Sequence, residues 1–287
     1  MAENSKIQWT HHTFNPWIGC AKVHTGCASC YAEALMADRY HRVVWGKEGT
    51  RSKTKTWGDP LKWDRMAAKL GIRYRVFCAS LADVFEDRAD LREWRADLFR
   101  LIDRTPNLDW LLLTKRPENI ENMWHSRAFF SDDGKQWGQC VPTHKRFKRD
   151  NVWLGTSVSN QETYDEFWPR LARCRDLAPV LFLSGEPLVG PILANFGVQE
   201  ELPDWFIIGG ESKQGKAPAR ACHFDWINGL IAECTMFGVP AFLKQLGSLP
   251  VAANGVVAHF KDAHAGDMDE WPAVMRVREF PRAMAVV

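Results

Sequence analysis

Short apolar runs recur along the chain, each ending in small, polar or charged residues, and a stretch with helical spacing usually follows. The runs are Arg75–Ala79 (RVFCA), Trp110–Thr114 (WLLLT), Val152–Thr156 (VWLGT), Val180–Leu183 (VLFL), Trp205–Ile208 (WFII) and Pro240–Leu243 (PAFL), with Thr13–Ile18 as a weaker seventh. Their brevity and their aliphatic and aromatic content predict strands buried on both faces, as in a parallel sheet. Between them, Leu91, Trp94, Leu98 and Leu101 fall at steps of three and four, as do Tyr164, Phe167, Leu171 and Cys174, and Phe224, Ile227, Ile231 and Cys234. That spacing aligns one face of an α-helix. Strands alternating with helices imply right-handed βαβ crossovers. The expected fold class is therefore α/β, a partial or complete TIM-type (β/α) barrel with a parallel sheet; a doubly wound open sheet is the alternative.

The rhythm lapses in four places. Between Leu183 and Trp205 the segment PLVGPILANFGVQEELPD shows no clear helix. Val43–Pro60 reads as a basic, glycine-containing insertion and is expected to be a mobile loop, and Lys135–Arg149 is a second basic excursion. Beyond Gly247 the alternation stops, which predicts an irregular extension. None of these breaks resembles a linker, so one domain is expected over residues 1–287, with a barrel core from about 7 to 247 and a C-terminal extension over 248–287.

Composition narrows the picture modestly. The chain has 287 residues, enough to bury a large core without disulfide staples, and its net charge of +2 gives no bulk electrostatic case for nucleic acid. A local basic patch stays compatible with that balance. No apolar run reaches bilayer length, and Met1–Lys6 is polar with no secretory core behind it. A cytoplasmic protein with no membrane partner is expected, in which eight cysteines read as thiols or metal ligands rather than disulfides. The fourteen tryptophans are expected mostly in the core, with some available to stack on a ring-shaped substrate.

Three cysteines stand apart from the rest. Cys20, Cys27 and Cys30 form a C-x6-C-x2-C pattern beside the first predicted strand. The two-residue gap lets Cys27 and Cys30 face one metal, and Cys20 can return across a loop turned at Gly26. Three thiolates leave one coordination position open, on an iron–sulfur cluster or on zinc. His24 inside the loop, with His11 and His12 nearby, makes a closed Cys3His zinc site the alternative to iron. Free, buried thiols are the third reading. Core packing is the default for Cys78, Cys140, Cys174, Cys222 and Cys234.

In a parallel α/β fold the reactive groups gather at the C-terminal ends of strands. Ser80, Asp83, Glu86 and Asp87 follow the first strong run; Lys115 and Arg116 the second; Ser157, Ser159 and Asn160 the third. Ser184, Gly185 and Glu186 come next, then Gly209, Gly210, Glu211 and Ser212, then Lys244 and Gln245. Each has a bland explanation alone: Asp83 or Asp87 as a helix cap, Lys115 and Arg116 as solvated charges, Gly209-Gly210 as a tight turn. Six strands ending alike predict one polar mouth onto which the cysteine loop opens.

The segments FNPWIGC, GCASCYAE, SLADVFED, LLTKRPEN, WLGTSVSNQ, LSGEPLVGP, WFIIGGES and FLKQLG resemble the three-Cys-motif family of phage and prophage proteins, over about Ile7 to Gly247. That family is in turn similar to radical S-adenosylmethionine enzymes. The resemblance implies a (β/α) barrel with a [4Fe–4S] cluster on Cys20, Cys27 and Cys30, and S-adenosylmethionine on the fourth iron as the source of a 5′-deoxyadenosyl radical. It further implies Gly209, Gly210 and Glu211 near the methionine end of the cofactor, with Tyr31, Ser184, Glu186 and Ser212 as further cofactor contacts. The first cysteine gap holds six residues where three is usual, and GGES follows a late strand rather than the second.

The leading functional expectation is a radical S-adenosylmethionine-type enzyme. Lys115, Arg116 and Lys244 would hold an anionic substrate, and Asp83 would position or protonate it. A small molecule, or a nucleotide or nucleic-acid base, is the expected substrate, with the loop Arg51–Lys55 on a phosphate. The alternatives are a zinc-dependent nucleic-acid-processing enzyme, with Zn2+ activating water, and a non-catalytic zinc-stabilised protein that binds a partner.

Overall fold

The computed structural model describes residues 4–124, 147–214 and 218–281. Seven strands form one sheet: β1 (His12–Thr13), β2 (Tyr74–Cys78), β3 (Leu108–Thr114), β4 (Val152–Ser157), β5 (Val180–Gly185), β6 (Trp205–Gly209) and β7 (Ala241–Gln245). They lie side by side in chain order, and every neighbouring pair is parallel. Among the described residues, four helices of three turns or more lie in the crossovers: α1 (Asp59–Leu70), α2 (Arg92–Asp103), α3 (Gln161–Ala172) and α4 (Phe224–Phe237). Between β5 and β6 there is only a 3-10 turn at Phe196–Val198, where the sequence offered no helical spacing. The β1 and β7 edges do not pair, so this is a partial barrel, with the α/β parallel architecture expected.

Strand alternation decides which residues fill the barrel. Phe77, Leu111, Trp153, Phe182, Trp205 and Phe242 point to one face and pack together. Their neighbours Val76, Leu112, Leu154, Leu183, Phe206 and Leu243 point the other way, into the layer shared with the helices. Curvature follows from ring contacts: Trp9, just before β1, lies 6.3 Å from Trp205 on β6, five strands along the sheet. Room for these rings is made by Gly155, where an added Cβ would sit 2.3 Å from the Phe182 ring.

The C-terminal extension is irregular, as expected, but it has a task. Arg278 bridges antiparallel to Phe242, and Glu279 N–H donates to Ala241 O at 2.9 Å, so the free edge of β7 is covered. Phe280 then packs between Trp205 and Phe242, with centroids 5.4 and 5.3 Å away, under the Arg75 guanidinium at 4.2 Å. The gap between the two sheet edges is thereby plugged at the bottom.

Two expectations need correction. Thr13–Ile18 is not one strand. His12–Thr13 joins the sheet, whereas Trp17–Ile18 lies beyond Pro16, which has no N–H for a ladder, and pairs antiparallel with Ser52–Lys53. The Val43–Pro60 insertion is anchored rather than loose: Arg51 is buried and forms a two-armed ion pair with Glu86, and Arg88 donates to Lys47 O and Gly49 O. The helix α1 was not anticipated; Trp63 and Ala67 bury its inner face, and it ends at Gly71 with φ 65°. YAEALMADRY begins as one α turn at Tyr31–Glu33 and widens to a π turn over Ala34–Arg39.

Cys78, Cys174, Cys222 and Cys234 are buried in the core, whereas Cys140 and most of Lys135–Arg149 lie outside the described residues. No helix among the described residues is long and apolar enough to cross a membrane.

Candidate functional site

At the C-terminal ends of the strands the barrel opens into a cavity of about 430 Å3. Its deep wall is apolar, built by Trp9, Phe77 and Leu113. Above these the same inward positions turn polar: Lys115 after β3, Ser157 on β4, Ser184 on β5, Glu186 beyond it, and Lys244 on β7. All three cysteines of the C-x6-C-x2-C loop line this cavity. The strand-end residues and the cysteine loop thus meet at one mouth.

The three thiols share a wall but are not gathered at a point. Among the described residues no three His, Cys, Asp or Glu side chains are grouped so as to hold a metal ion. Cys20 donates its S–H to Ala21 O at 3.4 Å, a bond a thiolate cannot make. Burial, reinforced by the nearby Asp83 charge, pushes the Cys20 thiol up to about 12 against the pull of Arg116; burial also raises Cys30. Cys20 and Cys30 are thus protonated thiols at neutral pH, and a metal would have to displace their protons. The donor chemistry itself, three soft sulfurs beside open space, fits a three-thiolate centre with a vacant position.

His24 does not complete the set. It caps the 3-10 turn Thr25–Cys27, its Nδ1 accepting from Gly26 N–H at 2.9 Å, and its ring packs 5.5 Å from Phe167. Burial, with Lys115 and Arg116 nearby, lowers it to about 3 and keeps it neutral. His11 accepts from Arg75 N–H at 2.8 Å, and His12 stacks on Trp63 at 4.3 Å, so both are committed to the β1 region.

Asp83 and Arg116 form a buried pair at 2.8 Å rather than a reactive couple. Asp83 accepts from the Thr114 hydroxyl at 2.6 Å and from the backbone N–H of Lys115 and Phe85 at 3.0 Å each. Burial alone would raise its pKa, but Arg116 and these donors outweigh it and hold the carboxyl below its ordinary value. An acid held ionised in this way cannot protonate a substrate at neutral pH. Arg116 also reaches Ala21 O at 2.9 Å and sits 3.6 Å from Cys20 Sγ, which leaves it no free arm for an anionic substrate.

Of the three cations expected to grip that substrate, two are committed. Lys244 pairs with Glu186 at 2.7 Å, across β6. Gly209 permits this crossing, since a Cβ there would lie 3.0 Å from Glu186 Oε1. Lys115 is different: its Nζ donates to Ser157 Oγ at 3.1 Å, and among the described residues no carboxylate is paired to it. In the loop Arg51–Lys55, Arg51 is sealed against Glu86 and Lys53 pairs with Asp97 at 2.6 Å, so neither of these two is free for a phosphate, while Lys55 is exposed.

GGES is absorbed largely by protein contacts. A Cβ at Gly210 would sit 2.1 Å from Leu246 O, so this glycine serves a close approach of two backbones. Glu211 is buried and takes three bonds from Arg220: the backbone N–H at 2.9 Å, Nε at 3.0 Å and Nη2 at 2.5 Å. Burial opposes its ionisation, but Arg220 and the Ser29 hydroxyl prevail and lower its pKa. Ser212 Oγ accepts from Gln245 Nε2 at 2.7 Å, and Tyr31 donates its hydroxyl to Ser80 O at 2.7 Å beside the cavity. Gly209 does not line the cavity, whereas Gly210, Glu211 and Ser212 do. Arg220 is the residue that sequence reasoning missed. It sits nine residues beyond Glu211 with no motif around it, and only the fold brings it to the cysteine loop.

The chain belongs to the family described as "Protein of unknown function (DUF5131)", whose model matches residues 4–272. That description mentions neither a three-cysteine motif nor phages. No curated protein matches the chain. Among solved structures, two mutant forms of a spore photoproduct lyase are similar, at TM-scores of 0.43 and 0.42 and identities of 12% and 11%. Each match covers 71% of this chain and 57% of the other, so the chain spans a little over half the length of those proteins.

Proposed function

We propose that the chain is a radical S-adenosylmethionine-type iron–sulfur enzyme acting on a nucleotide or nucleic-acid base. The observation that carries this reading is the placement of Cys20, Cys27 and Cys30 on the wall of one cavity, at the end of a parallel sheet where α/β folds keep their reactive groups. The motifs from FNPWIGC to FLKQLG add the resemblance. When bound, a [4Fe–4S] cluster and S-adenosylmethionine would supply radical abstraction of a hydrogen atom from the substrate.

The chain's own residues bind, orient and exclude water. Cys20, Cys27 and Cys30 would hold the iron. Lys115, whose ammonium has no carboxylate partner among the described residues, offers its charge to an anionic group on cofactor or substrate. Lys244 and Glu186, already balanced, present one donor and one acceptor at the cavity wall and suit a neutral polar edge such as that of a base. Trp9, Phe77 and Leu113 would pack the apolar part of the ligand and keep water from the floor. Asp83 acts by position, not by giving up a proton.

The test is anaerobic reconstitution with iron and sulfide, followed by reduction in the presence of S-adenosylmethionine. Bound iron and sulfide with formation of 5′-deoxyadenosine are expected from the wild type and not from Cys27→Ser. A colourless protein that takes up one zinc and leaves S-adenosylmethionine intact would overturn the reading.

A further inference from the structure

We infer that Arg116 and Arg220 are positioning residues, a pair of clamps that fix the shape of the Cys20–Cys27 loop and so set how its thiols meet a metal. This deepens the proposed function and rests on its three-cysteine centre. A loop with six residues between its cysteines, one of them Gly26, does not hold its own shape, because each backbone free to turn must be ordered when the sulfurs converge. The protein supplies that order from outside the loop.

The two clamps are built alike. Each arginine is anchored by a buried carboxylate, Asp83 at 4% exposure and Glu211 at 5%. Each spends one part of its guanidinium on that carboxylate and another on a loop carbonyl. Arg116 holds Asp83 through Nη1 at 2.8 Å and Ala21 O through Nη2 at 2.9 Å. Arg220 holds Glu211 through Nε and Nη2, and Thr25 O through Nη1 at 2.8 Å. The gripped carbonyls lie four residues apart, and the grips come from different parts of the fold: one from the end of β3, the other from the segment before α4. Arg116 also reaches Cys20 Sγ at 3.6 Å.

The Asp83 anchor is itself immobilised. Asp83 is tied to Thr114 and to the backbone of Phe85 and Lys115, and Arg95 donates to Val84 O and Glu86 O in the next turn of chain. A guanidinium spans carboxylate and carbonyl with separate nitrogens held at fixed spacing; an ammonium has its donors on a single atom and, drawn to the carboxylate, keeps the ion pair at the expense of the second reach. Lysine substitutions therefore separate the clamp from the salt bridge.

The experiment is a cobalt(II) titration of the metal-free full chain under anaerobic conditions, read by thiolate-to-cobalt charge-transfer absorption, for wild type, Arg116→Lys and Arg220→Lys. The wild type should show the intensity of three thiolates. Each variant should keep its melting temperature to within a few degrees yet bind cobalt about 10-fold more weakly, the usual consequence of losing an outer-shell partner. The Arg116→Lys complex should also lose part of the charge-transfer intensity as Cys20 drifts. Wild-type affinity and intensity in both variants would remove the clamp role and leave the metal reading standing. A wild type without charge transfer would remove the metal reading, and the clamps with it. If Arg116→Lys fails to fold, Arg220→Lys decides alone, because that side chain is 31% exposed and tolerates the change.

Discussion

At the lower end of the barrel, Trp9, Trp153, Trp205 and Phe242 meet ring edge to ring face, and the Trp205 indole N–H finds Glu279 O at 2.9 Å. At the upper end the same strands continue into Lys115, Ser157, Ser184, Glu186 and Lys244 around open space. One end is ordered by shape and excluded water, the other by charge placed against charge. The floor therefore governs whether the barrel stands, and the mouth governs what it does. Buried ion pairs at the mouth are weak sources of stability, since desolvation consumes most of their Coulomb energy. Their worth lies in holding the cysteine loop.

Breaking the floor should cost most. Trp205→Ala removes a fully buried ring and is expected to lose about 3–5 kcal/mol, visible as a large fall in the denaturation midpoint. Cys27→Ser at the mouth should leave that midpoint nearly unchanged. Asp83→Asn comes next, at about 3 kcal/mol, because it strips the buried Arg116 of its counter-charge. It should also lower metal uptake, which Trp205→Ala in its folded fraction should not. Gly155→Ala drives a methyl group into the Phe182 ring and should cost about 1–3 kcal/mol. Its effect on the cavity should be slight, since the clash lies on the floor.

Acid titration gives the gentlest effect near neutrality. His24 and His11 are held neutral, at about 3 and about 4 against an ordinary 6.5. Below pH 6.5 the unfolded chain takes up these protons before the folded one does, so stability falls steadily from pH 6.5 toward pH 4. Melting curves across that window should show the decline, and His24→Gln should flatten part of it. Below that window Asp83 and Glu211, whose folded pKa values are depressed, add their own loss as they protonate.

The contrast between the two ends also explains what could be read from the sequence. Six of the seven sheet strands were legible because strands covered on both faces read as unbroken apolar runs, and their polar ends followed directly. Thr13–Ile18 misled because an apolar stretch interrupted by Pro16 serves two different sheets. The helix α1 was hidden behind the basic insertion that precedes it. At the mouth, Lys115, Glu186 and Lys244 could be nominated from position alone. Which of them is already paired could not, because Lys244 meets Glu186 across an intervening strand. Arg220, and the shift of Asp83 and Glu211 from chemistry to anchoring, depend on contacts 9 to 195 residues apart, a range over which local patterns carry no information.

The central claim is that three particular sulfurs, held in one loop, serve one metal centre. Cysteine alkylation mapped by mass spectrometry, on metal-free protein and on protein reconstituted anaerobically with iron and sulfide, tests this most directly. Cys20, Cys27 and Cys30, which line the open cavity, should react in the metal-free chain, slowly because burial raises the Cys20 and Cys30 thiols, and lose that reactivity together on loading, while Cys78, Cys174, Cys222 and Cys234, buried away from the cavity, stay inert in both. Iron uptake that leaves Cys20 as reactive as before, or protection that falls on other cysteines, would contradict it.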